Sequence, residues 1–147
     1  MEYEDFLLLY LRKQTSRRNK KRIIKQFVKA INQQNLPKII QMITEDFQFI
    51  DTYGNCKNKE AMKTGWQGYF DWFPDYLIEM EEWIGNDEFT MIIGRASGSY
   101  FGKSDKHWKF PAALKVVIEQ GQQIETWQVF CDSKKQLDSM KYRFHKT

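Results

Sequence analysis

A chain of 147 residues suits one domain, and at that size roughly 70% of the surface exposed on unfolding is buried, so a core can stand without staples. Two cysteines, Cys56 and Cys131, have neither the number nor the spacing of a disulfide framework or a zinc site, and a reducing, cytoplasmic setting is the expectation. The net charge of +4 hides an asymmetry: residues 6–44 carry ten Lys or Arg and no acid, whereas residues 45–147 carry thirteen bases against sixteen acids.

The apolar run Phe6–Leu11 follows Glu2, Glu4 and Asp5 and precedes Arg12 and Lys13. A secretory signal has the opposite order of charge and a small-residue cleavage site, and no run has the length of a membrane span. Asp5 can cap a short helix, an arm over residues 1–15 with poor amphipathicity that suits packing on another surface. Thr15 or Ser16 opens the next helix, in which Ile23, Ile24, Phe27, Val28 and Ile31 recur at helical spacing. The bases here form either a solvated face or a patch for nucleic acid or an anionic surface; the interleaved aromatics of a nucleic-acid surface are missing.

Asn35 can cap a third helix that tolerates Pro37 in its first turn, with Ile39, Ile40 and Ile43 on its apolar side. A short strand, F-Q-F-I-D, then ends in a turn from Asp51 to Asn55. Asn58 caps a helix whose stripe is Met62, Trp66, Tyr69, Phe70 and Phe73, and Pro74 stops it. Tyr76–Ile84 turns at Gly85-Asn86-Asp87 and returns through Glu88–Phe101 as a hairpin.

In the next segment every even position from Trp108 to Ile118 is apolar, the period of a strand with one buried face. After Gln120-Gly121-Gln122-Gln123 its partner strand runs to Asp132. Ser133 with Gln136 reads as a capping box for a helix over residues 134–145, with Leu137, Met140 and Phe144 on one side. Helices before a run of hairpins imply an α+β fold: N-terminal helices packed on a strongly curved antiparallel sheet. Consecutive hairpins exclude a doubly wound parallel sheet.

The order N-L-P-K-I-I-Q-M-I-T-E-D-F-Q-F-I-D, then G-W-Q-G-Y-F-D-W-F-P-D-Y, then W-K-F-P-A-A closing in I-E-T-W-Q-V-F-C-D, resembles SnoaL-like polyketide cyclases of the nuclear transport factor 2-like superfamily. The resemblance covers about residues 19–133 of a single domain and leaves the N-terminal arm and the C-terminal helix outside it. It implies a cone-shaped fold with an apolar pocket between sheet and helices, usually in a homodimer. Such folds host isomerases, cyclases, hydrolases and plain binding domains, so the shape alone does not name an activity.

Chemistry in such a pocket is cofactor-free acid–base work, needing a carboxylate and donors for a developing oxyanion. Asp132 shares parity with Phe130 and Gln128 and is the base if that face is concave; otherwise it belongs to the strand exit. Asp51 shares parity with Phe47 and Phe49 and is either a second base or an ordinary turn residue. Arg95 shares parity with Phe89, Met91 and Ile93, so it either joins an Asp on the apolar side or is turned outwards by a bulge near Gly94 or Gly98. Asp75 suits local hydrogen bonding.

Tyr53, Trp66, Tyr69, Trp108, Phe110 and Phe130 are the expected ligand contacts, each alternatively plain core. Trp127, of opposite parity to Phe130, would suit the outer face and a dimer contact. His107 and His145 form no dyad, which disfavours a histidine-based dehydratase, and no metal-ligand spacing, phosphate loop or nucleophile elbow occurs. The expectation is therefore a domain that binds a small apolar ligand, with or without isomerase, cyclase or hydrolase chemistry. The alternative is a non-catalytic protein-interaction module using its sheet face or its basic helices. A cavity of several hundred cubic ångströms with converging polar groups separates the two.

Overall fold

The computed structural model describes residues 2–120 and 122–141. Its first helix, α1 (Tyr3–Asn32), runs for 30 residues without a break. Two helices starting at Asp5 and at Thr15 or Ser16 were expected; no Gly or Pro interrupts residues 3–32, so nothing stops the first turn from propagating. Asp5 instead sits within the first turn, where its charge complements the helix dipole. Burial begins only at Ile23 and continues through Ile24, Phe27, Val28, Ala30 and Ile31.

Helix α2 (Leu36–Gln41) starts as its sequence suggests: Asn35 Oδ1 accepts from Lys38 N, and Pro37 sits in the first turn. Strand β1 (Ile43–Ile50), the short β2 (Cys56–Asn58) and helix α3 (Lys59–Trp72) follow. Asn58 caps α3 by accepting from Ala61 N at 2.9 Å. Next come β3 (Leu77–Gly85) and β4 (Thr90–Ser99), two short 3-10 turns, then β5 (His107–Ile118) and β6 (Ile124–Cys131). The final described helix is α4 (Lys134–Met140). Gly121 of the expected turn and Phe144 and His145 of the expected C-terminal helix lie outside the described residues.

The strands form one sheet in the order β2-β1-β6-β5-β4-β3. The hairpins are antiparallel, as their turns require, but β1 joins β6 in parallel, which makes the sheet mixed. Register shifts interrupt β1, β3 and the β5–β6 pair, and such bulges bend strands and add twist. One sheet face receives α1 and α3, and the core between them is aromatic. Phe27 meets Trp127 at 5.0 Å between ring centres, and Trp66 meets Phe47 at 5.7 Å. Asn32 ties the end of α1 to β3 with both ends of its amide, donating to Ile78 O at 3.0 Å and accepting from Ile78 N at 2.8 Å.

Candidate ligand cavity

The inner face of the sheet is set by β5, where Trp108, Phe110, Leu114 and Val116 are all buried. Its neighbour β4 pairs Ala96 with Phe110 and Ile92 with Leu114, so even positions point inwards there too. On β6 the pairing is Val116 with Trp127 and Leu114 with Val129, which turns odd positions inwards. Of these, Ala96, Phe110, Leu114, Trp127 and Val129, together with Ile31 of α1, Met62, Trp66 and Tyr69 of α3 and Tyr76 ahead of β3, line a cavity of about 250 Å³.

Most of the lining is apolar, and its polar groups gather at one end. Tyr69 accepts a short hydrogen bond from the Gln136 amide of α4, and its ring meets that of Tyr76 edge-on at 4.9 Å. Burial raises both phenol pKa values, that of Tyr69 well above 10.0, and the neighbouring Tyr76 hydroxyl and Cys131 thiol act in the same direction on Tyr69. Burial likewise lifts the Cys131 thiol, against a hydrogen bond from Thr52. At the rim the Tyr53 hydroxyl meets Ser133 Oγ at 2.6 Å, and Thr52 Oγ1 donates to Cys131 O at 2.7 Å. The two buried phenols and the thiol therefore keep their protons at neutral pH.

Of the residues expected to touch a ligand, Tyr53, Trp66, Tyr69 and Phe110 line the cavity. Trp108 does not; it stacks behind Phe110 at 4.8 Å and meets Phe73 edge-on at 5.2 Å in a neighbouring cluster. Phe130 lies on the other face of the sheet and is 45% exposed, while Trp127, expected outside, is 2% exposed and faces in. The physical reason is a bulge. Ile118 pairs with Ile124 but Val117 pairs with Thr126, so one extra residue, Glu125, inverts the parity of the rest of β6.

The acid–base group expected from Asp132, Asp51 and Arg95 is not brought together. Asp132 is exposed at the strand exit and accepts from Lys134 N at 3.0 Å. Arg95 is exposed on the outer face, where its Nε lies 3.1 Å from Glu81 Oε1. No bulge in β4 turns it there; the inward positions are simply the small ones, Gly94, Ala96 and Gly98, with Met91 and Ile93 on Arg95's own side. Among the described residues Asp51 is the one carboxylate on the cavity wall. Its Oδ1 accepts from Tyr53 N and Asn55 N, both at 2.9 Å, and Oδ2 accepts from Asn55 Nδ2. Partial desolvation pushes its pKa up, but these bonds and the charge of Lys57 outweigh it, and the net shift is downwards. Asp51 is therefore held as the anion that organises its turn.

Asp75 bonds not locally but to the end of β4, accepting from Ser99 N at 2.6 Å and Ser99 Oγ at 2.7 Å, with His107 Nδ1 2.8 Å from the same hydroxyl. The Ser99 hydroxyl donates its hydrogen bond to the carboxylate rather than to the imidazole, unlike the serine of a nucleophilic triad. The expected capping box is also replaced: Ser133 Oγ is engaged by Tyr53 and the Gln136 amide by Tyr69, so both residues serve the cavity rather than the helix start. Tyr76, Cys131, Ser133 and Gln136 were not among the expected site residues. For Tyr76 the signal was its parity with Ile78 and Met80; for Cys131, its parity with Trp127 and Val129.

Solved structures of similar fold include a candidate polyketide cyclase from Xanthomonas campestris (TM-score 0.74, 12% identity, 85% of this chain and 98% of that one). A candidate SnoaL-like polyketide cyclase from Shewanella denitrificans gives a TM-score of 0.71 at 14% identity, covering 82% of this chain and 96% of the other. A protein of ketosteroid isomerase-like fold from Catenulispora acidiphila, in complex with trimethylamine, gives 0.64 at 14% identity, covering 74% and 83%. At these identities the likeness is one of fold. No curated protein matches the chain. The family model of the SnoaL-like domain matches residues 24–126, from the first buried turns of α1 to the middle of β6. The chain belongs to the SnoaL-like family.

Proposed function

We propose that this protein binds a small, flat, largely apolar molecule of one or two rings that carries an oxygen acceptor. The observation behind this is the buried phenol pair, Tyr69 and Tyr76, at one end of an otherwise aromatic cavity. A cavity of roughly 150 Å³ holds a benzene ring; one of about 250 Å³ has room for a fused pair. Phenols that stay protonated are donors, so a ketone or phenolic oxygen complements them and a hydrocarbon does not. Two structural neighbours are candidate polyketide cyclases, which supports a ringed, oxygenated ligand.

The reading stops at binding. Asp51 is engaged by its turn, and Asp132 and Arg95 face away from the cavity, so among the described residues no carboxylate is free to act as a base beside the phenols. The family resemblance further supports a homodimer, and two free cysteines with no disulfide framework support a cytoplasmic setting; both are included in the proposal.

The test is calorimetric titration with 1-indanone and with indane, molecules of the same shape with and without a carbonyl. The ketone is expected to bind several-fold more tightly, the worth of one net hydrogen bond, and Tyr76→Phe to shrink that preference. Equal affinity for the two, or no binding of either, defeats the proposal.

A further inference from the structure

The N-terminal part of α1 lies outside the family match and outside the core. Phe6, Leu7, Leu8, Leu9 and Tyr10 are consecutive and 66%, 44%, 52%, 45% and 57% exposed. Five residues span roughly one and a half helical turns, so this band is apolar around the whole circumference. An exposed apolar band of this kind marks an interaction site. Its flanks carry opposite charge: Glu2, Glu4 and Asp5 on one side, and Arg12, Lys13, Arg17 and Arg18 on the other.

An acid–apolar–base order is complementary to its own reverse. When two such helices run antiparallel about a two-fold axis, each acidic block meets the partner's basic block and the two apolar bands coincide. An anionic lipid surface matches only the basic half and repels the three acids beside the band. An acidic protein face has the same one-sided fit. We therefore infer that the arm docks on the arm of a second copy of this chain, in antiparallel orientation.

A contact between two arms alone is at the small end of interface sizes, below the roughly 1,200 Å² of a standard stable complex. The pairing is accordingly concentration-dependent and weakened by salt, because its charged flanks are exposed. It does not depend on what fills the cavity.

Two measurements on the full-length chain test it, in a Cys56→Ser background. Leu7→Cys, on the helix face shared by Tyr3 and Gln14 and close to the two-fold axis, forms a disulfide-linked dimer under mild oxidation, whereas Tyr3→Cys forms it only when mixed with a Gln14→Cys chain. Reversing one charge block, either Glu4→Lys with Asp5→Lys or Arg12→Glu with Lys13→Glu, reduces cross-linking at Leu7→Cys roughly tenfold. Mixing the two reversed chains, or reversing both blocks in one chain, restores it. Efficient Tyr3→Cys self-linking signifies parallel arms and overturns the inference. So does cross-linking indifferent to charge reversal, or the absence of cross-linking together with binding to phosphatidylserine vesicles.

Discussion

Tyr69 and Tyr76 meet at the end of the cavity, and their burial has a consequence beyond ligand binding. Each phenol, and the Cys131 thiol beside them, has a folded-state pKa above its unfolded value of 10.0 for tyrosine and 9.0 for cysteine. Above those values the unfolded chain releases protons that the folded chain keeps, so the unfolded state gains. Stability from these groups is complete below about pH 9 and is lost as pH rises towards the folded-state values. Urea unfolding from neutral to alkaline pH should show that decline, and Tyr69→Phe and Tyr76→Phe should each flatten it. An unchanged slope in both variants would mean that the phenols are not shielded from water. Asp51 carries the opposite shift and belongs to the opposite, acidic limb.

At the scale of the elements, β4 shows what a strand's small residues are for. A Cβ built on Gly94 would lie 1.9 Å from Glu79 O of β3, beside the bulge at Glu81, and one on Gly98 would lie 2.9 Å from the Trp108 ring. Gly94→Ala therefore forces the two strands apart, and a loss of about 3 kcal/mol in denaturant unfolding is expected. A stability within error of the unsubstituted protein would show that the strands are not so close.

The same elements show how far the chain could be read. Caps were legible because they are local: Asn35 and Asn58 each bond a backbone N–H three residues on. The buried face of β5 was legible because alternation is unbroken from Trp108 to Val116. The face of β6 was not. Both of its parities carry an aromatic, Trp127 on one and Phe130 on the other, and the bulge at Glu125 that decides between them is a property of the pairing. Arg95 was misplaced for a related reason, since inward-facing Gly94, Ala96 and Gly98 leave the outward set looking more apolar. The candidate base Asp132 followed Phe130 outwards. The length of α1 was hidden by two plausible helix starts, and hydrogen bonding to the cavity diverted Ser133 and Gln136 from the capping box that their spacing suggests.

The whole molecule divides into a body and an arm. In the body, α1 from Ile23 onwards, α3 and α4 close one face of a bulged sheet, and the space left between them is lined by rings and ends in donors. None of the arm's described side chains is buried in that core. The basic character of the chain is therefore concentrated on an element that the cavity does not need, which lets ligand binding and self-association be tested separately.

The central claim is that the cavity receives an oxygenated ring compound with its acceptor at the phenol pair. A crystal structure of the protein soaked in 1-indanone tests this most directly. The predicted result is a ketone lying between Trp66 and Leu114 with its oxygen within hydrogen-bonding reach of the Tyr69 or Tyr76 hydroxyl. A cavity filled by repacked side chains, or a ketone bound with its oxygen pointing away from both tyrosines, would contradict it.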